Sequence, residues 1–261
     1  MDDVTYGKLR DWFSGYCRSF YTDCEEDNRN YCLKEEHTGR VCDAMEVLAE
    51  GLGLGESDRL LAGAVALFHD LGRFEQYRQY RTFKDSDSIN HAALSARVLA
   101  EQGVLAHLPA QERQLITSSV ALHNVFRIPA GLPERGLLFL KLIRDADKLD
   151  IWRVFIEFYG QAEEERASAV GLGFPDLPAC SPEVVASLQR GQMVNLATVR
   201  SLNDFKLLQL SWVYDLNFPG SFRLVRERRY LEEMEATLPD DREVRQAVAC
   251  VTRYLASNLP V

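Results

Sequence analysis

The sequence predicts an all-α protein, on three observations. Apolar residues recur at helical spacing along almost the whole chain, no convincing two-residue alternation is present, and glycine- and proline-bearing stretches separate the runs. Trp12, Phe13, Tyr16 and Phe20 share one face of a first helix. His37, Val41, Ala44, Met45 and Leu48 share one face of the next, which Gly51-Leu52-Gly53-Leu54-Gly55 ends. Leu60, Leu61, Ala64, Val65, Leu67 and Phe68 form a run that is apolar on most sides and reaches His69-Asp70. Gly72 to Ser88 reads as a long polar, aromatic and basic loop. Asn90, a capping residue type, starts a helix carrying His91, Leu94, Val98 and Leu99. Leu115, Ile116, Ser119, Leu122 and His123 follow Pro109. Leu137 to Asp147 forms another helix, with Leu140, Ile143 and Asp147 on one face, and Ile151 to Tyr159 continues the pattern. Further helices are expected over 183–190, 202–215, 221–236 and 241–257, with stripes at Phe205, Leu208 and Trp212 and at Val244, Val248, Val251 and Leu255. The stretch from Gly171 to Pro182, rich in glycine and proline, is expected to divide a helical domain over 1–170 from a helical C-terminal extension over 171–261.

Composition narrows the function classes. The chain has 261 residues, 46% hydrophobic and 26% charged, with a net charge of −9. Such an acidic balance argues against a protein that coats a nucleic-acid polymer, which would carry a basic face. It leaves room for a phosphorylated small molecule, because bound cations make a pocket locally positive. No stretch has the roughly 18–20 apolar residues of a membrane span. The acidic Met1-Asp2-Asp3-Val4 start has no apolar signal region, so a cytoplasmic location is expected. The six cysteines, none of them spaced C-x-x-C, read as reduced thiols.

Five histidines occur, and four of them (His37, His69, His91 and His123) lie at or near the ends of apolar helical runs. His37 points inward with Val41, Ala44 and Met45; Asp147 lies below Leu140 and Ile143. An inward carboxylate is costly unless it is paired or binds a cation. Imidazole and carboxylate donors without thiolates suit divalent Fe, Mn, Zn or Co. Asp70, with two oxygens, is able to bridge two ions while His69 binds one. His107, between helices, reads as an ordinary loop residue.

His37, then His69-Asp70, then Asp147 resembles the H…HD…D signature of the HD superfamily of metal-dependent phosphohydrolases. The strings Leu67-Phe68-His69-Asp70-Leu71-Gly72-Arg73 and Arg144-Asp145-Ala146-Asp147-Lys148-Leu149-Asp150 are similar to its HDxG[KR] and DADxLD segments. The resemblance spans about residues 34 to 155 and implies a helical bundle. His91 and His123 resemble the two extra histidines of binuclear members. The pattern implies one metal held by His37, His69, Asp70 and Asp147, and a second held by Asp70, His91 and His123. HD-GYP-type phosphodiesterases usually carry a second histidine where Asn124 stands, and no GYP-like motif follows, so cyclic-di-GMP hydrolysis is not implied.

The expected activity is hydrolysis of a phosphomonoester or phosphodiester, a nucleotide among the options, by a metal-activated hydroxide. Asp70, Arg73 and Lys148 are the residues assigned to catalysis, the two cations as phosphate holders. A competing reading pairs the loop cations with Glu75, Asp85 and Asp87; it is the preferred one for Arg78, Arg81 and Lys84 and stays open for Arg73 and Lys148. Asp145 and Asp150 are expected to orient ligands or cap helices. Two other functions stay open: a di-iron oxygenase of the same superfamily, and a non-catalytic metal-bound sensor or interaction module. Trp212, Tyr214 and Phe218 either close the pocket or pack, and packing is the preferred reading. The sequence carries no signal for oligomeric state.

Overall fold

Local sequence explains where each helix begins. Asp2 accepts a hydrogen bond from the Thr5 N–H at the head of α1 (Asp3–Arg18), and Asn90 does the same for Ala93 at α5 (His91–Glu101). The computed structural model describes residues 1–161, 169, 170 and 172–259, and among them every regular element is helical, with no strand. The remaining long elements of the first half are α2 (Glu25–Gly51), α3 (Glu56–Phe68), α4 (Gly72–Tyr80), α6 (Ala110–Leu122) and α7 (Glu134–Gly160). The two helical stretches expected over 137–147 and 151–159 are thus one continuous helix.

The chain divides into two units, Met1–Asp150 with Glu163–Leu172, and Ile151–Ala162 with Gly173–Val261. Gly171, where the sequence places the division, lies outside the described residues. In the first unit α2 packs along α3, α3 against α1 and α6, and α5 against α4 and α6. The inner stripe of α2 runs Tyr31, Lys34, His37, Val41, Ala44 and Leu48, the spacing of a buried helix face.

Two expectations are corrected, the first in the stretch after Asp70. Residues 72–80, read as the start of a loop, form α4. Phe74 and Tyr77 are one turn apart and buried, and they point into a cluster of rings with Phe13, Tyr16, Phe20 and Tyr31. The helix is short and its other positions are charged or polar, so the apolar stripe is too brief to stand out as a period. It stops at Arg81, which takes a left-handed conformation at φ 55°.

The second unit holds α8 (Pro182–Gln189), α9 (Leu202–Ser211), α10 (Pro219–Glu227), α11 (Tyr230–Glu235) and α12 (Arg242–Ser257). The helix expected over 221–236 is broken at Arg229, again left-handed at φ 55°. Trp152 is fully buried there; its indole N–H donates to Gln209 O at 3.0 Å and its ring meets Trp212 and Tyr230. Tyr214 donates to Leu188 O at 2.8 Å, so Trp212 and Tyr214 pack within their own unit. No helix of the described residues is long and apolar enough to cross a membrane.

Candidate metal centre

Neighbouring side chains on a helix diverge by about 100°. His69 and Asp70 stand in the turn between α3, which ends at Phe68, and α4, with helical dihedrals at His69 and Leu71. The Leu71 N–H donates to Phe68 O and the Arg73 N–H to Asp70 O. Both side chains reach one pocket, where His37 arrives from α2, His91 from the first position of α5, His123 from the end of α6 and Asp147 from α7. The four histidines and Asp70 are buried, and the Asp147 side chain is 25% exposed.

The donors fall into two groups that share Asp70. Asp70 Oδ2 lies 3.6 Å from His37 Nε2 and 3.9 Å from His69 Nε2, and Asp147 Oδ1 is 3.2 Å from His37 Nε2 and 3.8 Å from His69 Nε2. Asp70 Oδ1 lies 3.4 Å from His91 Nε2 and 3.9 Å from His123 Nε2. Each carboxylate oxygen thus addresses a different histidine pair, and the two triads His37–His69–Asp70 and Asp70–His91–His123 each have the donor spacing of a cation site.

The outer nitrogens decide what the inner ones can do. His37 Nδ1 is 2.7 Å from Asp150 Oδ2 and His91 Nδ1 is 2.7 Å from Asp85 Oδ2. His69 Nδ1 is 2.7 Å from Ala66 O, and His123 Nδ1 is 2.8 Å from Val120 O. All four partners are oxygen acceptors, so each Nδ1 carries a proton, and each ring in its neutral form turns an Nε2 lone pair inward. Yet His37 and His69 Nε2 are 3.2 Å apart, and His91 and His123 Nε2 are 3.1 Å apart. Two lone pairs at that separation repel unless a proton or a metal ion lies between them. The donor set fits divalent metals, which His37, His69 and Asp70 with the neighbouring Asp147 would hold on one side and Asp70, His91 and His123 on the other.

Protonation agrees with metal ligation. Burial, with Arg73 nearby, lowers His91 to about 4; burial, with His69 nearby, lowers His123 to about 4. His69 is also lowered by burial. His37 differs: burial pushes it down, but Asp147 and Asp150 outweigh this and raise it. Burial would raise Asp70, but Lys34, His69, Arg73 and His91 hold it well below the usual carboxylate range. Asp147 is lowered too, against burial, by His37 and His69. His69, His91, His123, Asp70 and Asp147 are thus held in the deprotonated forms that metals need, whereas His37 has to release a proton to ligate one.

The remaining expected residues fall as follows. Arg73 reaches the site with Nε 3.4 Å from Asp70 Oδ1, but its Nη1 donates to Phe83 O at 2.5 Å, Gln76 Oε1 at 2.8 Å and Asp85 Oδ1 at 3.0 Å. The half-buried Lys148 donates to Arg144 O at 3.4 Å. Arg78 pairs with Glu75 and Lys84 with Asp87, two of the acids the surface reading names, while Arg81 pairs instead with Asp27 on α2. Asn90 is a helix cap and His107 an exposed turn residue. Asp150 orients His37 and is itself held by Arg40 Nε at 2.7 Å. Asp145 is fully buried.

Three residues were missed by sequence reasoning. Lys34, 7% exposed, places its ammonium 2.8 Å from Asp70 Oδ2 and 5.0 Å from the centre of the Phe83 ring. Its signal was its place on the inner stripe of α2, one turn before His37. Asp85, expected only as an ion-pair partner of the loop cations, also orients His91, and nothing in a polar stretch marks that second role. Arg144 donates to His123 O at 3.0 Å and to Val125 O at 2.5 Å, closing the end of α6.

The family model of the HD domain matches residues 35–152, a span that contains all six donors. No curated protein and no solved structure gives a significant match. With a helical fold, two buried His/Asp triads joined by the HD aspartate, and that match, residues 35–152 of this chain are an HD domain.

Proposed function

We propose that this protein is a metal-dependent phosphohydrolase that cleaves a phosphomonoester or phosphodiester of a small molecule, with a binuclear centre as its core. The observation that carries the proposal is the split of Asp70, whose two oxygens face separate histidine pairs. HD domains are mostly metal-dependent phosphohydrolases, which supports the same reading. Divalent metals held there would lower the pKa of bound water and offset charge on the phosphoryl oxygens.

The chain's own contribution is positioning and charge. Lys34 and Arg73 set two cations against the two oxygens of Asp70. A lysine ammonium has three donors, and one goes to Asp70. The others suit a phosphoryl oxygen, as does the guanidinium edge of Arg73. Phe83, 7% exposed, lies under both cations, 5.0 Å from the ammonium and 5.8 Å from the guanidinium, and limits their movement. Asp150 and Arg40 hold the His37 ring, so the first histidine pair is oriented before any substrate arrives.

The test is a panel of phosphate mono- and diesters, nucleotides included, offered to protein loaded separately with Mn, Fe, Zn and Co. Release of phosphate or of a cleaved diester, abolished in Asp70→Ala, is expected. Oxygen consumption with iron, without ester cleavage, would replace the proposal with an oxygenase. Bound metal with no turnover at all would leave a sensor or interaction module.

A further inference from the structure

The four histidines are not oriented in the same way. His69 and His123 each stand at the C-terminal cap of a helix, where Nδ1 reaches a carbonyl three residues back. Carbonyls at a helix end have no intrahelical partner, so this orientation comes with the backbone. His37 is inside α2 and depends on Asp150. His91 is the first residue of α5, with Asn90 as its cap. No helical turn precedes it, so no carbonyl of its own helix can take its Nδ1 proton. The acceptor has to come from elsewhere, and it is Asp85, with Oδ1 and Oδ2 at 2.9 and 2.7 Å.

Asp85 is itself fixed by three side chains, two from α4 and one from just past α6. Its Oδ1 accepts from Arg73 Nη1 and Gln76 Nε2 of α4, both at 3.0 Å. Its Oδ2 accepts from Asn124 Nδ2 at 3.1 Å, just past the end of α6. The fully buried Gln76 also donates to Ser88 Oγ and Ile89 O, tying down the segment between Asp85 and His91. Arg73 meanwhile touches Asp70 Oδ1, the oxygen that faces His91 and His123. The whole device converges on one histidine pair and leaves His37 and His69 untouched.

We propose that Asp85, clamped by Arg73, Gln76 and Asn124, is the positioning residue of the second metal station, and that it governs retention of the second ion independently of the first. Arg73 is then chiefly a clamp on Asp85, with phosphate contact left mainly to Lys34. The proposal rests on the binuclear reading above. A carboxylate partner fixes the ring and raises its basicity as a ligand, and loss of such a partner typically costs about 10–100-fold in metal affinity.

The experiment uses full-length protein stripped of metal and titrated with Mn(II), followed by calorimetry and by electron paramagnetic resonance. Wild type is expected to bind two ions and to show the spin-coupled signal of a manganese pair. Asp85→Ala is expected to bind the first ion as wild type does and the second about 10–100-fold more weakly, with the isolated-ion signal replacing the coupled one at limiting metal. Asn124→Ala, which removes one clamp and leaves Asp85 in place, should show a smaller loss in the same step. Asp150→Ala should weaken the first step instead. Unfolding of the metal-free variants serves as the fold control. Two wild-type-like steps in Asp85→Ala would overturn the proposal. So would equal weakening of both steps, which marks a general structural role. If wild type binds a single ion, the binuclear reading falls first and the proposal with it.

Discussion

Gly72 is the place where a single added carbon should disturb the centre most. A Cβ there would lie 2.6 Å from His91 O, 2.7 Å from Ser95 N and 2.9 Å from Leu94 Cβ, where ordinary contacts are 3.4 Å or longer. The first two neighbours are backbone atoms, so no rotamer change relieves the clash. Helix α5 has to retreat by nearly an ångström. Such overpacking costs about 1–3 kcal/mol. The retreat also loosens Ser95 Oγ, which accepts from the Gly72 N–H at 2.8 Å and lies 2.9 Å from both His69 O and His91 O. Because metal ligands are held to within about 0.2 Å, a shift of that size removes His91 from the second station. Gly72→Ala should therefore lower the stability of the metal-free protein by about 1–3 kcal/mol in urea unfolding and weaken the second metal step. Gly39→Ala is the control: Gly39 is helical with nothing within 4 Å of a new Cβ, and the change should be neutral or stabilise by up to about 1 kcal/mol. A Gly72→Ala protein with wild-type stability and both metal steps intact would refute the argument.

Other consequences follow from the same geometry. Lys34→Met removes the buried ammonium and should cut kcat/KM on a phosphate ester by about 10–100-fold, the worth of a hydrogen bond to a charged group, while metal content is retained; unchanged kinetics would remove Lys34 from substrate binding. Phe74→Ala opens a hole in the ring cluster under α4 and should cost about 3–5 kcal/mol in urea unfolding, whereas a loop residue would cost little. Without metal, stability should fall with acid earlier than carboxylates alone explain. The unfolded chain protonates His91 and His123 near the ordinary 6.5 and the folded chain near 4, so stability is full above about 6.5 and declines as pH falls towards 4. His37, raised in the fold, runs the other way: its contribution is present at low pH and is lost as pH rises through its folded value. Urea midpoints at about pH 7 and about pH 5 read the balance, three lowered histidines against one raised, and a flat profile would contradict it.

What could be read from the sequence depended on whether a residue's signal was periodic. His37 and Asp147 sit on apolar stripes that continue for several turns, so their inward direction follows from helix geometry. His69, His91 and His123 mark helix ends, where apolar runs start or stop. The helix at 72–80 escaped because its buried side has two aromatic rings, Phe74 and Tyr77, beside a glycine and a polar glutamine, too little for an apolar period. Lys34 sat on a visible stripe, but a lysine is expected to be solvated, and burial against Asp70 came from an element far along the chain. Asp85 carried no local signal at all. Its role exists only because α4, α5 and the end of α6 meet, which no spacing in one segment encodes. Arg73 shows the converse: its motif position brought it to the centre, but three of its hydrogen bonds go to the framework around Asp85 and Phe83.

The central claim is that one aspartate joins two metal stations. Anomalous diffraction from crystals grown with manganese tests it most directly. Two peaks are expected, one beside Asp70 Oδ2 among His37, His69 and Asp147, the other beside Oδ1 between His91 and His123. A single peak, or two peaks without Asp70 between them, would contradict it.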